Sequence, residues 1–120
     1  MAEERTQRRL AAILAADVVG YSRLVERDER ETFQRFRAHR QELFEPEVGR
    51  HGGRIFKLTG DGFLAEFDSV VEAVECAVAL QREMAARNQG AVDGRRMDVR
   101  IAVNLGDVIV EGEDRLTAVP

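Results

Sequence analysis

The chain has 120 residues, 44% of them hydrophobic, 33% charged and 6% aromatic. That length supports a single core rather than two domains, and the apolar fraction excludes wholesale disorder. Lys and Arg total 18 against 22 Asp and Glu, a net charge of −4 that argues against a grip on nucleic acid, and the single Cys76 allows no internal disulfide, which fits a reducing compartment.

The opening MAEERTQRR is a charged arm over residues 1–9, without the apolar stretch of a signal peptide. The longest apolar run, Leu10 to Ala16, is far too short to cross a bilayer. The expectation is a cytoplasmic protein with no membrane segment and one domain over residues 10–120. Leu10–Val19 reads as a strand buried on both faces, stopping at Gly20. From Asp28 to Val48, the residues Phe33, Phe36, Leu43, Phe44 and Val48 recur at helical spacing, with Arg, Glu and Gln between them. His51-Gly52-Gly53 ends that helix.

Arg54–Leu58 and Phe63–Phe67 are β-prone runs around Thr59-Gly60-Asp61-Gly62, and an Asp-Gly pair in that position signals a hairpin. Alternation sets Phe63, Ala65 and Phe67 on one face, and puts Lys57 on the same face as Ile55. Asp68 or Ser69 caps a second helix with an expected core stripe of Val71, Val74, Val78 and Met84. Met97, Val99, Ile101, Val103 and Leu105 alternate with polar or small residues, which is a strand. Gly106-Asp107 then reads as a turn before a last short strand, Val108–Glu111. The order strand, helix, strand, strand, helix, strand, strand predicts an α+β sandwich of ferredoxin-like, βαββαβ type: a mainly antiparallel sheet with helices on one face.

Two aspartates stand at turns. Asp17 ends the first apolar run just ahead of Val18-Val19-Gly20-Tyr21-Ser22, where exposed amides could cradle phosphate oxygens. Asp61 lies at the tip of the hairpin. If their strands are neighbours, both carboxylates reach one sheet edge and suit Mg²⁺, which takes one or two carboxylates and leaves its other positions to water and phosphate. By themselves the residues also permit a cap at Asp17 and a simple turn at Asp61, and Lys57 also reads as a solvated strand lysine. His39 and His51 lack zinc spacing, Cys76 suits a small core position, and no Ser or Cys has a base placed by motif.

Three segments together, AAILAADVVGYSRL, HGGRIFKLTGDGFLAEF and VRIAVNLGDVIVEGED, resemble the bacterial class III adenylate/guanylate cyclase catalytic domain, in order and spacing, from about Arg9 to Asp114. The resemblance implies that Asp17 and Asp61 bind two Mg²⁺ or Mn²⁺ ions with the Val18 carbonyl, and that the amides of Gly20-Tyr21-Ser22 hold a triphosphate. It implies that Lys57 and Asp114 read adenine. The implied reaction is attack of the ribose 3′-oxygen of ATP on the α-phosphorus, giving cyclic AMP and pyrophosphate. The implied partner is a second cyclase domain, most simply another copy of the chain in a head-to-tail homodimer. After EGED the family continues with a turn and a helix bearing an Asn and an Arg that stabilise the transition state. Here the sequence reads RLTAVP, with no counterpart for either. Losing one such group costs about 10²–10³ in rate, so catalysis is expected to be impaired. The alternative is a non-catalytic nucleotide-binding or dimerisation module. The Gly-Gly-acidic-acidic-Phe signature of diguanylate cyclases is absent.

Overall fold

The computed structural model describes residues 6–92, 95–111 and 114–119, with side chains described over 9–92 and 95–107. Strand β1 (Thr6–Val18) leads into helices α1 (Tyr21–Arg27) and α2 (Glu29–His39), a π-helical turn (Arg40–Phe44) and α3 (Glu45–Arg50). The hairpin β2 (Arg54–Leu58) and β3 (Gly62–Phe67), helix α4 (Val70–Gln89) and strands β4 (Val99–Glu111) and β5 (Asp114–Val119) follow. The five strands lie in the order β2-β3-β1-β4-β5, and every neighbouring pair is antiparallel. This is the ferredoxin-like arrangement expected from the sequence, with one further strand beyond β4. Among the described residues, no helix is long and apolar enough to cross a membrane.

The helices cover one face of the sheet. Ala12, Leu14, Ala16 and Val18 alternate inward along β1, opposite Phe67, Ala65 and Phe63 on one side and Val103, Ile101 and Val99 on the other. Phe44 joins this layer from above, with its ring 5.4 Å from that of Phe63. Ile13, Ala15 and Asp17 point to the opposite face and are only half-buried. The expectation of a strand buried on both faces is therefore corrected: β1 is central, but its second face carries no helices. It also begins at Thr6, four residues before the apolar run, because all 13 of its residues pair with β4. The same pairing overrides the turn expected at Gly106-Asp107, which continue β4 opposite Ala11 and Leu10.

The helix expected from Asp28 forms with Asp28 as its N-cap, the carboxylate accepting from the Glu31 amide at 3.1 Å. Its interior widens into one π turn, closed by the Glu45 amide donating to the Arg40 carbonyl. Pro46 explains the position, since it has no N–H to return to residue 42 and its ring crowds that carbonyl. The helix buries Phe36, Leu43, Phe44 and Val48 as expected, but Phe33 is 51% exposed and stacks on Tyr21.

In α4 the core stripe is Ala73, Cys76, Leu80, Met84 and Asn88, whereas Val71, Val74 and Val78 are exposed. Only Met84 of the expected stripe is buried. The buried stripe mixes small and large side chains, so it is set by how the helix docks on the sheet and not by side-chain size. Side chains of α4 also tie down the start of β4: Asn88 donates to the Met97 carbonyl at 2.8 Å and accepts from its amide at 3.0 Å, and Gln81 donates to the Val99 carbonyl at 2.7 Å. Ser69 caps α4 through the Glu72 amide. Ser69→Ala is expected to lower the unfolding free energy by about 1 kcal/mol, read from urea denaturation.

Candidate active site

The site forms where β1 runs out beside the β2–β3 hairpin. Asp17 lies opposite Gly62, the first residue of β3, and the Val18 amide donates to the Asp61 carbonyl at 2.9 Å. Strand pairing thus brings together two carboxylates 44 positions apart in the chain. Gly62 is what permits the approach: a Cβ there would overlap the Ala16 carbonyl and crowd the Asp17 Cα. No side chain can be placed at that point without moving main chain.

Asp17 and Asp61 line one cavity of about 310 Å³, with Thr59, Leu64, Arg100 and Ala102. Ala15, Leu64 and Ala102 are register neighbours on the sheet face away from the helices. Their modest side chains leave room above the sheet. The Thr59 hydroxyl donates to Asp61 Oδ1 at 3.4 Å. Arg100, directly across the β1–β4 ladder from Asp17, donates from Nε and a terminal nitrogen to both Asp17 oxygens, each at 3.1 Å. That bidentate bond, with the field of Asp61 behind it, raises the pKa of the guanidinium above its ordinary value. Asp17 is not a helix cap: the N-cap of α1 is Gly20, in the left-handed region at φ 67°.

Gly20 turns the chain out of β1, and its carbonyl accepts from the Arg23 and Leu24 amides. The amides of Tyr21 and Ser22 therefore precede the first intrahelical donor. Val18 keeps its side chain in the core, and Ser22 is exposed. The Tyr21 ring packs on Phe33 and edge-on against Phe36, and burial together with Asp61 and Glu29 raises its phenol pKa.

Lys57 stands elsewhere. A β-bulge shifts the register between Ile55 and Lys57, so Ile55 faces Ala65 while Lys57 faces Leu64. The expectation that Lys57 shares a face with Ile55 is corrected, because the extra residue, Phe56, reverses the alternation. Lys57 is exposed and does not line the Asp17–Asp61 cavity. Asp114 opens β5 opposite Glu111, and its side chain lies outside the described residues.

The donor set fits a hard cation. Among the described residues no group of three or more His, Cys, Asp or Glu is gathered for a metal, so there is no protein-only cage. Two carboxylates on one open cavity are what Mg²⁺ or Mn²⁺ needs when water and phosphate complete its shell. The histidines are engaged in the fold: His51 Nδ1 lies 2.9 Å from the Glu47 carbonyl, and His39 is buried beside Arg87. Burial pushes the Cys76 thiol up to about 11, as expected of a core residue rather than a nucleophile. Arg100 is the site residue that the sequence reading missed. Its only signal was its place on the outward phase of an alternating strand, which it shares with ordinary solvated residues.

No protein-family profile matches the chain. It is 58% identical over 114 residues to a Rhizobium meliloti protein named "Putative adenylate cyclase 3", a match covering 95% of this chain and 19% of that protein. Among solved structures, it superposes on an adenylate/guanylate cyclase/hydrolase from Silicibacter pomeroyi with a TM-score of 0.82 at 42% identity, covering 94% of this chain and 66% of that one. It superposes on the guanylyl cyclase Cya2 with a TM-score of 0.78 at 25% identity, covering 96% and 66%. The chain thus spans just under two thirds of these solved chains and about a fifth of the curated relative.

Proposed function

Because the chain belongs to the class III adenylate/guanylate cyclase domain family, we propose that its Asp17–Asp61 cavity is the metal-and-phosphate half of a nucleotide cyclase site, acting on ATP to give cyclic AMP and pyrophosphate. The observation that carries this reading is the meeting of Asp17 and Asp61 at one cavity, fastened by the Val18–Asp61 main-chain bond. Mg²⁺ or Mn²⁺ bound there would neutralise triphosphate charge and acidify the ribose 3′-hydroxyl.

The protein's own part is to hold and orient. Asp17 and Asp61 supply anionic oxygens, with the Val18 carbonyl as a further donor. The Tyr21 and Ser22 amides offer hydrogen bonds to phosphate oxygens. Lys57 and Asp114 are assigned to the adenine. Lys57 lies outside the cavity of its own chain, which favours its serving the site of a second domain. Two copies related by a twofold axis would then form two equivalent sites.

The test is ATP binding and product formation by the purified chain with and without Mn²⁺, for wild type, Asp17→Asn and Asp61→Asn. Mn²⁺-dependent ATP binding, weakened at least about tenfold by either substitution, is expected. Cyclic AMP above the Asp17→Asn background would establish catalysis, whereas binding without product would mark a nucleotide-binding module. ATP binding indifferent to Mn²⁺ and to both substitutions would remove the proposal.

A further inference from the structure

We propose that Arg100 is the internal counter-cation of the Asp17–Asp61 site: its guanidinium holds both oxygens of Asp17 in the metal-free chain and must be exchanged for an arriving divalent cation, so that Arg100 sets the cation affinity. The proposal rests on the reading of Asp17 and Asp61 as metal ligands.

Three observations support it. First, the pairing is built into the sheet, since Asp17 and Arg100 are direct register partners across β1 and β4 on the face that carries the cavity. Second, the contact is complete on one carboxylate and absent from the other. Both oxygens of Asp17 accept from Arg100, while Asp61 has the Thr59 hydroxyl. A cation entering the cavity therefore meets on Asp61 a carboxylate that, among the described residues, no cationic side chain bonds directly, and must compete with a guanidinium for Asp17. Third, the competition is winnable. The side chains of Arg100 and Asp17 are 71% and 38% exposed, and an ion pair so open to water is weakly held. Arg100 has no second carboxylate bonded to it among the described residues. Its near neighbour Asp98 is bonded instead by Arg96, at 3.0 Å.

Exchange rather than simple repulsion follows from the geometry. A planar guanidinium spanning both oxygens blocks the positions that a metal would take on that carboxylate. Once displaced, the Arg100 side chain has solvent to move into, so no packing opposes its release. Bound cation and paired Arg100 are then alternative states of one carboxylate, and each lowers the population of the other.

The experiment is Mn²⁺ binding without nucleotide, followed by the electron paramagnetic resonance of free Mn²⁺, for wild type, Arg100→Gln and Arg100→Lys, with folding checked by circular dichroism. Arg100→Gln is expected to bind Mn²⁺ roughly 3- to 5-fold more tightly at low salt, with the gap closing as ionic strength rises. Arg100→Lys, which keeps the charge but not the fork, should fall between them. Equal or weaker binding by folded Arg100→Gln overturns the inference. Asp17→Asn and Asp61→Asn separate the two levels. If they weaken Mn²⁺ binding while Arg100→Gln leaves it unchanged, only the role of Arg100 fails. If they leave it unchanged, the metal-site reading fails and this inference fails with it.

Discussion

Gly62→Ala is expected to lower the unfolding free energy by about 3 kcal/mol, measured by urea denaturation. The added methyl meets the main chain of Ala16 and Asp17 and not a movable side chain. Relief requires β1 and β3 to part at the point where the Val18 amide reaches Asp61. The damage therefore falls on the site as well as on stability. Mn²⁺ binding should weaken in the Gly62→Ala protein even at temperatures where it remains folded. The control is Gly60→Ala in the same hairpin, where an added Cβ meets nothing within 4 Å. A fully stable Gly62→Ala protein would show that β1 and β3 do not approach as closely as described.

The second large effect concerns pH. His39 is only 9% exposed, and its Nδ1 lies 3.1 Å from an Arg87 nitrogen. Arginine has only donors, so Nδ1 is the acceptor and the neutral ring carries its proton on Nε2. Burial, then Arg87 and Arg35, lower the His39 pKa to about 4. In the unfolded chain a histidine titrates near 6.5. Between these values the unfolded state binds the extra proton, so stability falls as pH drops from about 6.5 to about 4 and the loss is complete below that. The contribution is about 2 kcal/mol, less than the full shift implies because the ring borders an open cavity that admits screening water. Gln at position 39 can still accept from Arg87 but does not titrate. The difference in unfolding free energy between wild type and His39→Gln should therefore change by about that amount across the window. A pH-independent difference would show that His39 titrates in the folded protein as it does in the unfolded chain, its pKa not lowered.

The hairpin, the Ser69 cap and the inward set of β3 were legible because each rests on a local rule. Asp-Gly makes a turn, Ser accepts from the third amide onward, and a strand alternates. The coming together of Asp17 and Asp61 was legible only as a condition, since it depends on β1 and β3 being neighbours. What failed depended on tertiary context. In α4, Val71, Val74 and Val78 are as periodic as Ala73, Cys76 and Leu80, so periodicity cannot choose between the stripes. The way the helix docks on the sheet chooses, and that is a tertiary matter. Gly106-Asp107 carries a turn signal that the length of β1 outweighs. Nothing in Arg54–Leu58 announces a bulge, and nothing in an alternating β4 marks Arg100 as different from other outward residues. Both became visible only through their register partners.

The bulge at Phe56 makes the length of the hairpin a matter of parity. Because strand side chains alternate, the face presented by Lys57 depends on whether an odd or even number of residues separates it from the pairing of Ile55 with Ala65. Losing or gaining one residue in this stretch would exchange Lys57 for a neighbouring apolar side chain while leaving the hairpin able to form. Changes of two residues would restore the original outlook. Length variation along this edge is therefore constrained in steps of two wherever Lys57 is to keep its face, even though β2 itself lies at the rim of the sheet.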